Sequence, residues 1–141
     1  MLDAWLPRRK RPQTLGEKGE AAAVKLLKRL GYKVVGRGQR DGIGELDIVA
    51  VDRRDQRGPT VVFAEVKTRA SHDTGHPAEA VDADKQRRLT RAALAYLKRH
   101  GLLEYPARFD VVAVTWPAGQ KKPQLEHFQN AFPAADVGQM F

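Results

Sequence analysis

The chain has no cysteine among its 141 residues, and no apolar run approaches the roughly 20 residues that a membrane-spanning helix needs. The absence of cysteine excludes disulfides, thiolate zinc sites and cysteine nucleophiles. Near the N-terminus the basic cluster follows the apolar stretch, which is the wrong order for a signal peptide. These absences favour a soluble, cytoplasmic protein with no membrane partner.

What is present is the composition of a globular domain. The residues are 42% hydrophobic and 30% charged, which is not the balance of a disordered chain. The length suits one domain with a single core. Residues 1–13 contain two prolines and a basic cluster and are typical of a flexible arm. We therefore expect one folded domain over residues 14–132, followed by a C-terminal tail at 133–141.

The net charge of +8 is concentrated at one end of the chain. Residues 1–40 contain 11 Lys/Arg and 3 Asp/Glu, whereas residues 41–141 contain 14 of each. A basic segment beside an acidic site is what a phosphodiester-binding protein would use. A solvated tail that aids solubility, or one that binds membranes or acidic proteins, has the same composition.

The apolar pattern predicts seven elements in the order α-β-β-β-α-β-β, which is a mixed α/β domain with helices against a central sheet. A turn is predicted at residues 39–44, where Asp-Gly is a hairpin signal. The predicted elements are a helix at 14–30, strands at 32–36, 45–52 and 60–67, a helix at 82–100, and strands at 108–114 and 124–128.

The first helix carries a clear start signal and one acidic residue on its apolar side. Thr14 and Glu17 have the spacing of a capping box, and Gly31 ends the helix. Glu20 lies along the predicted buried face, because it precedes buried positions by three and seven residues. The predicted buried stripe of this helix is Ala23, Leu26, Leu27 and Leu30.

Two predicted strands carry acidic residues inside otherwise apolar runs. Strand alternation places Asp47 on the same face as Val49, and Glu65 and Lys67 on the same face as Phe63. If these strands pair, the three charged side chains can meet at one end of the sheet, with Glu45 at the margin. Charges in apolar strands cost free energy unless they are paired or bind a metal.

Such a carboxylate set suits Mg²⁺ or Mn²⁺, which prefer oxygen ligands, and the Val66 carbonyl could supply another. Lys67 could hold or deprotonate an attacking water, or stabilise developing negative charge; we favour the electrostatic and water-orienting role. The alternative is a solvated sheet face with cross-strand ion pairs, in which Glu-x-Lys has no catalytic meaning.

At this point several segments resemble a known family. Asp47, followed on the next strand by Glu65-Val66-Lys67, resembles the PD-(D/E)xK nuclease superfamily, with Leu46 in place of the motif's proline. The resemblance is closer to the YraN-type family of bacterial proteins, which is related to archaeal Holliday-junction resolvases. It extends over about residues 14–132, and the matching segments are 16–22, 44–50, 63–69, 79–81, 85–89, 108–112 and 130–132.

The resemblance implies a restriction-endonuclease-like αβββαβ core and a metal-dependent endonuclease acting on DNA, including branched DNA. It implies that Asp47 and Glu65 bind the metal, that Lys67 is the catalytic lysine, and that Glu20 is the helix glutamate of the resolvases. Glu45 is characteristic of the YraN-type pattern and is a less direct ligand candidate. A homodimer is implied by analogy, because a junction has two-fold symmetry.

Arg69 and Lys85 are candidate phosphate contacts beside this site, and the basic arm is a candidate for further contacts with nucleic acid. Asp110, inside an apolar strand, is a candidate to support the site from behind. His72 and His76 are interpreted as ordinary loop residues. The arm residues in question are Arg8, Arg9, Lys10 and Arg11.

Two other functions are compatible with the same sequence. The first is a nucleic-acid-binding accessory protein that has this fold but no chemistry, since a fold does not fix a function. The second is a small scaffold that binds a protein partner, although no exposed apolar stripe is evident. The metal-dependent endonuclease is the interpretation that we favour, and the inactive nucleic-acid-binding protein is the first alternative to it.

Overall fold

A central sheet of five strands forms the middle of the computed structural model, which describes residues 12–40, 44–71 and 81–135. The predicted basic arm up to residue 11, the Asp-Gly turn, both loop histidines and the end of the tail lie outside the described residues. The elements are α1 (Leu15–Arg29), β1 (Lys33–Arg40), β2 (Glu45–Asp52), β3 (Thr60–Arg69), α2 (Ala83–Arg99), β4 (Ala107–Thr115) and β5 (Gln124–Phe132).

The five strands lie in the order β1-β2-β3-β4-β5. Every pair of neighbours is antiparallel except β3 and β4, which are parallel and are connected through α2. Parallel neighbours need such a crossover, because a hairpin cannot join them. The predicted mixed α/β class and αβββαβ order are therefore confirmed, with β5 added at one edge.

Helix α1 begins as predicted but buries a slightly different stripe. Thr14 accepts a hydrogen bond from the backbone N–H of Glu17, and the Glu17 carboxylate accepts from the Thr14 N–H. Ala23, Val24 and Leu27 are buried. The prediction that Leu30 belongs to the stripe is wrong: Leu30 is 38% exposed, because it is the C-cap residue and the chain turns away at Gly31.

Helix α2 agrees with the prediction in its limits and its buried face. Asp82 caps the N-terminus by accepting from the Lys85 N–H at 2.8 Å. His100 is the C-cap, and Gly101 follows with a positive φ of 67°. The predicted inward residues are all buried, namely Leu89, Ala92, Ala93, Tyr96 and Leu97.

The two helices cover opposite faces of the sheet, and alternate residues of each central strand supply the two cores. On β3, Val61 and Phe63 belong to the core under α2, whereas Val62 and Ala64 belong to the core under α1. Strand β4 is buried over most of its length, which is typical of a strand covered on both faces.

Strand ends depart from prediction where pairing partners extend them. β1 covers residues 33–40 and not 32–36, and Gln39 and Arg40, predicted in the turn, pair with Leu46 and Glu45. β3 continues to Arg69 because β4 pairs with it as far as Thr115. β5 reaches Phe132 through a bulge at which Asn130 has a positive φ of 50°.

Helix α1 lies so close to β3 that only glycine fits at one contact. An ideal Cβ built on Gly19 would stand 1.9 Å from the Thr68 Oγ1. This contact fixes α1 over the C-terminal end of β3. Neither helix in the described part of the chain has the length and apolarity that a bilayer crossing requires.

Candidate functional site

Asp47 and Glu65 are brought together at the point where β2 stops pairing with β3. The β2–β3 register begins at Ile48 opposite Ala64, so Asp47 lies one residue beyond the last pair. Its Oδ2 accepts a hydrogen bond from the Val66 N–H at 2.9 Å. Glu65 is 8% exposed, and its carboxyl group lies close enough to that of Asp47 for its negative charge to raise the pKa of Asp47.

The closeness of the two carboxyl groups changes the acidity of Asp47. Burial raises the pKa of Asp47 to about 7, with a further contribution from the negative charge of Glu65. The Val66 N–H and the Lys85 ammonium act in the opposite direction. Near neutral pH this pair therefore favours taking up a positive charge, either a proton or a cation.

Lys85 supplies one such charge from α2. Its Nζ lies 2.6 Å from the Glu65 Oε1, in the first turn of the helix. The sequence indicated Lys85 as a phosphate contact and gave no sign that it would meet Glu65. A half-exposed lysine can serve both purposes, because the ammonium has three donors and a flexible stem.

Lys67 lies two residues after Glu65 on β3 and therefore on the same face. It is half-buried, and within the described ranges its ammonium forms neither a hydrogen bond nor an ion pair. Arg69 ends the strand, and its carbonyl accepts from the Trp116 N–H at 2.8 Å. The strand thus presents two cations beyond the acidic pair.

The other two predicted carboxylates have partners of their own. Glu20 accepts from the Arg37 Nε at 3.3 Å, and Glu45 lies 3.6 Å from Arg40 with its side chain 51% exposed. Across residues 12–40, 44–71 and 81–135, no three His, Asp or Glu side chains form a cluster suited to a metal. The structure therefore brings together Asp47 and Glu65, with Lys85, and not all four acids.

The four basic arm residues and the two loop histidines lie outside the described residues, so no contact is assigned to them. Asp110, the candidate for support behind the site, belongs to a different assembly. It projects from β4 toward the face that α1 covers, where Val112 and Val114 also lie.

This assembly is a buried ionic network that sequence reasoning missed. Arg108 donates to Asp110 at 2.9 Å, to Asp52 at 3.1 Å and to the Tyr32 hydroxyl. Arg54 also donates to Asp52, at 2.9 Å, and hydrogen bonds from Arg54 and Arg108 hold the pKa of Asp52 well below its usual range. Two arginines thus balance two aspartates under α1.

Asp110 is the most enclosed member of the network, with no exposed surface. Burial alone would raise the pKa of Asp110, but hydrogen bonds involving His127, Arg108 and the Asn130 N–H lower it below its usual value. The contact with Asn130 holds the β5 bulge in place. The signal available in the sequence was the presence of Arg108 and Asp110 within the otherwise apolar strand β4. The contact with His127 could not be read from local spacing, because His127 lies 17 residues further along the chain.

Comparison with known proteins identifies relatives over most of the chain. The model of the family described as "Uncharacterised protein family UPF0102" matches residues 19–114. A UPF0102 protein of Rhodopirellula baltica is 46% identical over 128 residues, covering 90% of this chain and 75% of the relative. One from Geobacter metallireducens is 47% identical over 123 residues, covering 87% of this chain and 95% of the relative.

Two solved structures show partial similarity. The chain of an EndoMS-dsDNA2 complex has a TM-score of 0.42 and 19% identity, covering 81% of this chain. Pyrococcus furiosus SfsA in complex with Ca²⁺ has a TM-score of 0.35 and 12% identity, covering 80%. This chain spans 42% of the first and 61% of the second.

Proposed function

The chain belongs to uncharacterised protein family UPF0102, and we propose that it hydrolyses phosphodiester bonds of DNA with a divalent cation held by Asp47 and Glu65. The observation that carries the proposal is the closeness of these two carboxyl groups, of which that of Glu65 is buried and that of Asp47 is half-buried. Holding two acids side by side with one of them buried costs free energy, and a structural role does not require it.

The donor set fits Mg²⁺ or Mn²⁺. These ions are usually bound through one or two carboxylates, with water and substrate phosphate completing the shell, so a third acid is not needed. A cation between Asp47 and Glu65 would remove their mutual repulsion more completely than Lys85, which reaches Glu65 alone at hydrogen-bond distance. The Val66 carbonyl remains a candidate further ligand.

When bound, the cation would lower the pKa of a water and polarise a phosphoryl oxygen. The residues of the chain would do the rest. Lys67, on the same face as Glu65, would orient the attacking water and stabilise negative charge that develops on the phosphoryl oxygens. Lys85 and Arg69 would contact neighbouring phosphates.

The resemblance to junction resolvases makes branched DNA the first substrate to examine, and a dimer the matching assembly. A two-fold symmetric substrate is cut symmetrically when two copies of one site face it. The branched substrate and the dimer are both proposed from the family resemblance alone.

Cleavage assays with Mg²⁺ or Mn²⁺ on linear, flapped, branched and single-stranded DNA, and on RNA, test the proposal. We expect the wild type to cut at least one DNA and Asp47→Ala to lose this activity while retaining its circular dichroism spectrum. Glu104→Ala, which removes an exposed carboxylate far along the chain, is the matched control and should cut normally. Absence of cleavage by the wild type on every substrate would contradict the proposal.

A second function, nucleic-acid binding without cleavage, is favoured by the 2.6 Å contact between Lys85 and Glu65. This ion pair already neutralises one acid, so the pair can persist without a catalytic cation. Binding would then weaken with salt and would be unchanged by Asp47→Ala. A binding constant that is independent of salt would contradict this alternative.

A further inference from the structure

A groove lined by positive charge lies on the opposite face of the sheet from Asp47 and Glu65. It runs between α1 and the turn that connects β4 to β5, and its volume is about 450 Å³. None of the described residues that line it is acidic. We call it the basic groove, and its defining residues are Lys18, Lys25, Arg29, Trp116, Lys121 and Lys122.

One wall of the basic groove is a stripe of α1. Lys18, Lys25 and Arg29 follow one another by seven and four residues, so they share one side of the helix over about 17 Å. Ala21 and Ala22 lie between them, and their short side chains leave the bottom of the basic groove unfilled. A helix surface with small residues between long cations leaves room for an extended anionic chain.

The other wall contains an aromatic ring held at two points. The Trp116 Nε1–H donates to the Gln120 carbonyl at 2.8 Å, and the Trp116 backbone N–H donates to the Arg69 carbonyl at 2.8 Å. The Lys18 Nζ lies 5.3 Å from the ring centroid. The ring is thus fixed in orientation, and the exposed Lys18 lies over it.

The basic groove also lies at the end of the sheet that carries the acidic pair. Trp116 follows β4 directly, and β4 pairs with β3 through Arg69, four residues after Glu65. Lys121 and Lys122 extend from the same end. A chain bound in the basic groove therefore passes close to the end of the strand that carries Glu65 and Lys67.

We propose that the basic groove binds a single strand of nucleic acid, with phosphates on its five cations and a base against Trp116. Single-stranded chains are held in this way, by a basic channel that follows the backbone and an aromatic ring that stacks on a base. A duplex hides the faces of its bases and offers no partner for the ring. The binding itself depends on the basic groove alone, whereas its use in presenting a strand for cleavage rests on the proposed function.

The test uses the full chain with Asp47→Ala, which removes a proposed metal ligand, and with Trp5→Phe, which leaves Trp116 as the sole tryptophan. Fluorescence is titrated in EDTA with a short oligothymidylate and with a duplex of equal length. We expect the single strand to quench Trp116 and to bind more tightly than the duplex. Lys121→Glu with Lys122→Glu should weaken binding about tenfold or more and reduce the salt slope by about two.

Lys33→Glu with Arg57→Glu is the matched control, because it makes the same change in net charge at exposed positions at the other end of the sheet. We expect it to retain binding and quenching. Trp116→Ala should weaken binding of the single strand about tenfold, which is the effect expected from the loss of one stacked base.

Equal losses in the two double variants, no change in Trp116 fluorescence, or tighter binding of the duplex would each overturn the inference. Failure of the wild type in the cleavage assays, with single-strand binding intact, would remove the proposed function and leave the basic groove as assigned.

Discussion

The Nζ of Lys85 lies 2.6 Å from the Oε1 of Glu65, so the first turn of α2 delivers a cation to a buried carboxylate of β3. The same Lys85 ammonium lowers the pKa of Asp47, although less than burial and Glu65 raise it. The acidic pair is thus only partly neutralised by the protein. Its response to a cation, to pH and to substitution follows from this imbalance.

Removing the Lys85 charge should strengthen cation binding and weaken the fold. We expect Lys85→Gln to bind Mn²⁺ several-fold more tightly in calorimetry, because a competing charge near Glu65 is gone. In EDTA the same variant should have a lower melting temperature, since Glu65 loses its partner. Lys28→Gln, which changes an exposed lysine in the last turn of α1, should change neither quantity. Unaltered Mn²⁺ affinity in Lys85→Gln would count against cation binding at Glu65.

Asp47 should make the protein less stable as the pH rises. Its pKa in the folded protein, about 7, exceeds the unfolded value of 3.8, so its contribution is full below about pH 4 and is lost as the pH rises through about 7. Asp47→Asn keeps an acceptor for the Val66 N–H and removes the titration. In EDTA we expect this variant to be more stable than wild type by roughly 2 kcal/mol at pH 8, and nearly equal to it at pH 4.

Urea unfolding across this pH range measures the difference between Asp47→Asn and wild type. Asp55→Asn, at an exposed position, should follow the wild-type curve. Parallel curves for Asp47→Asn and wild type would show that Asp47 does not titrate in this range.

The buried ionic network should govern acid stability. The pKa of Asp110 and that of Asp52 are both lowered, so their contribution is present above about pH 4 and is lost as the pH falls toward the folded values. Asp110→Asn should cost about 3 kcal/mol at pH 7, because Arg108 stays buried with less compensation. The free energy of unfolding of Asp110→Asn should also fall less steeply than that of the wild type between pH 4 and pH 2.

Asp84→Asn tests whether any lost ion pair has this effect. Asp84 pairs with Arg87 on the surface of α2, where such a contact contributes about 1 kcal/mol at most. An equal loss of stability in Asp84→Asn and Asp110→Asn would contradict the role assigned to the network.

The contact between Gly19 and Thr68 should tolerate no side chain. We expect Gly19→Ala to lower the free energy of unfolding by about 1–3 kcal/mol, because its Cβ meets the Thr68 side chain. Gly16→Ala is the control. Its Cβ would lie 4.0 Å from the Thr14 Oγ1, which is an ordinary contact distance, and alanine favours helix. Thr68→Ala should restore part of the loss. A neutral Gly19→Ala would mean that α1 is free to move outward.

Local signals in the sequence predicted most of the fold. The Thr14–Glu17 capping box and the Asp82 cap act within four residues, so their outcome does not depend on the rest of the chain. Alternation along β3 likewise places Glu65 on the face of Phe63, as expected from spacing alone.

Contacts between distant segments could not be predicted in the same way. Glu20 meets Arg37 because β1 runs to residue 40, and a strand predicted to end at 36 does not include that arginine. The approach of Lys85 to Glu65 depends on how α2 is placed by the crossover, which no local spacing encodes. The contact of Arg108 with Tyr32 joins residues 76 positions apart.

The close contact between Gly19 and Thr68 also determines the distance between the two faces of the sheet that carry the basic groove and the acidic pair. Thr68 contacts α1, while its neighbour Lys67 points to the other side of the same strand. One stretch of β3 backbone therefore supports α1, which forms a wall of the basic groove, on one side and carries Glu65 of the acidic pair on the other. The spacing between these surfaces is set by a strand and not by a loop. Sequence changes in the turns that line either surface should therefore leave the distance from the basic groove to the two carboxylates unchanged.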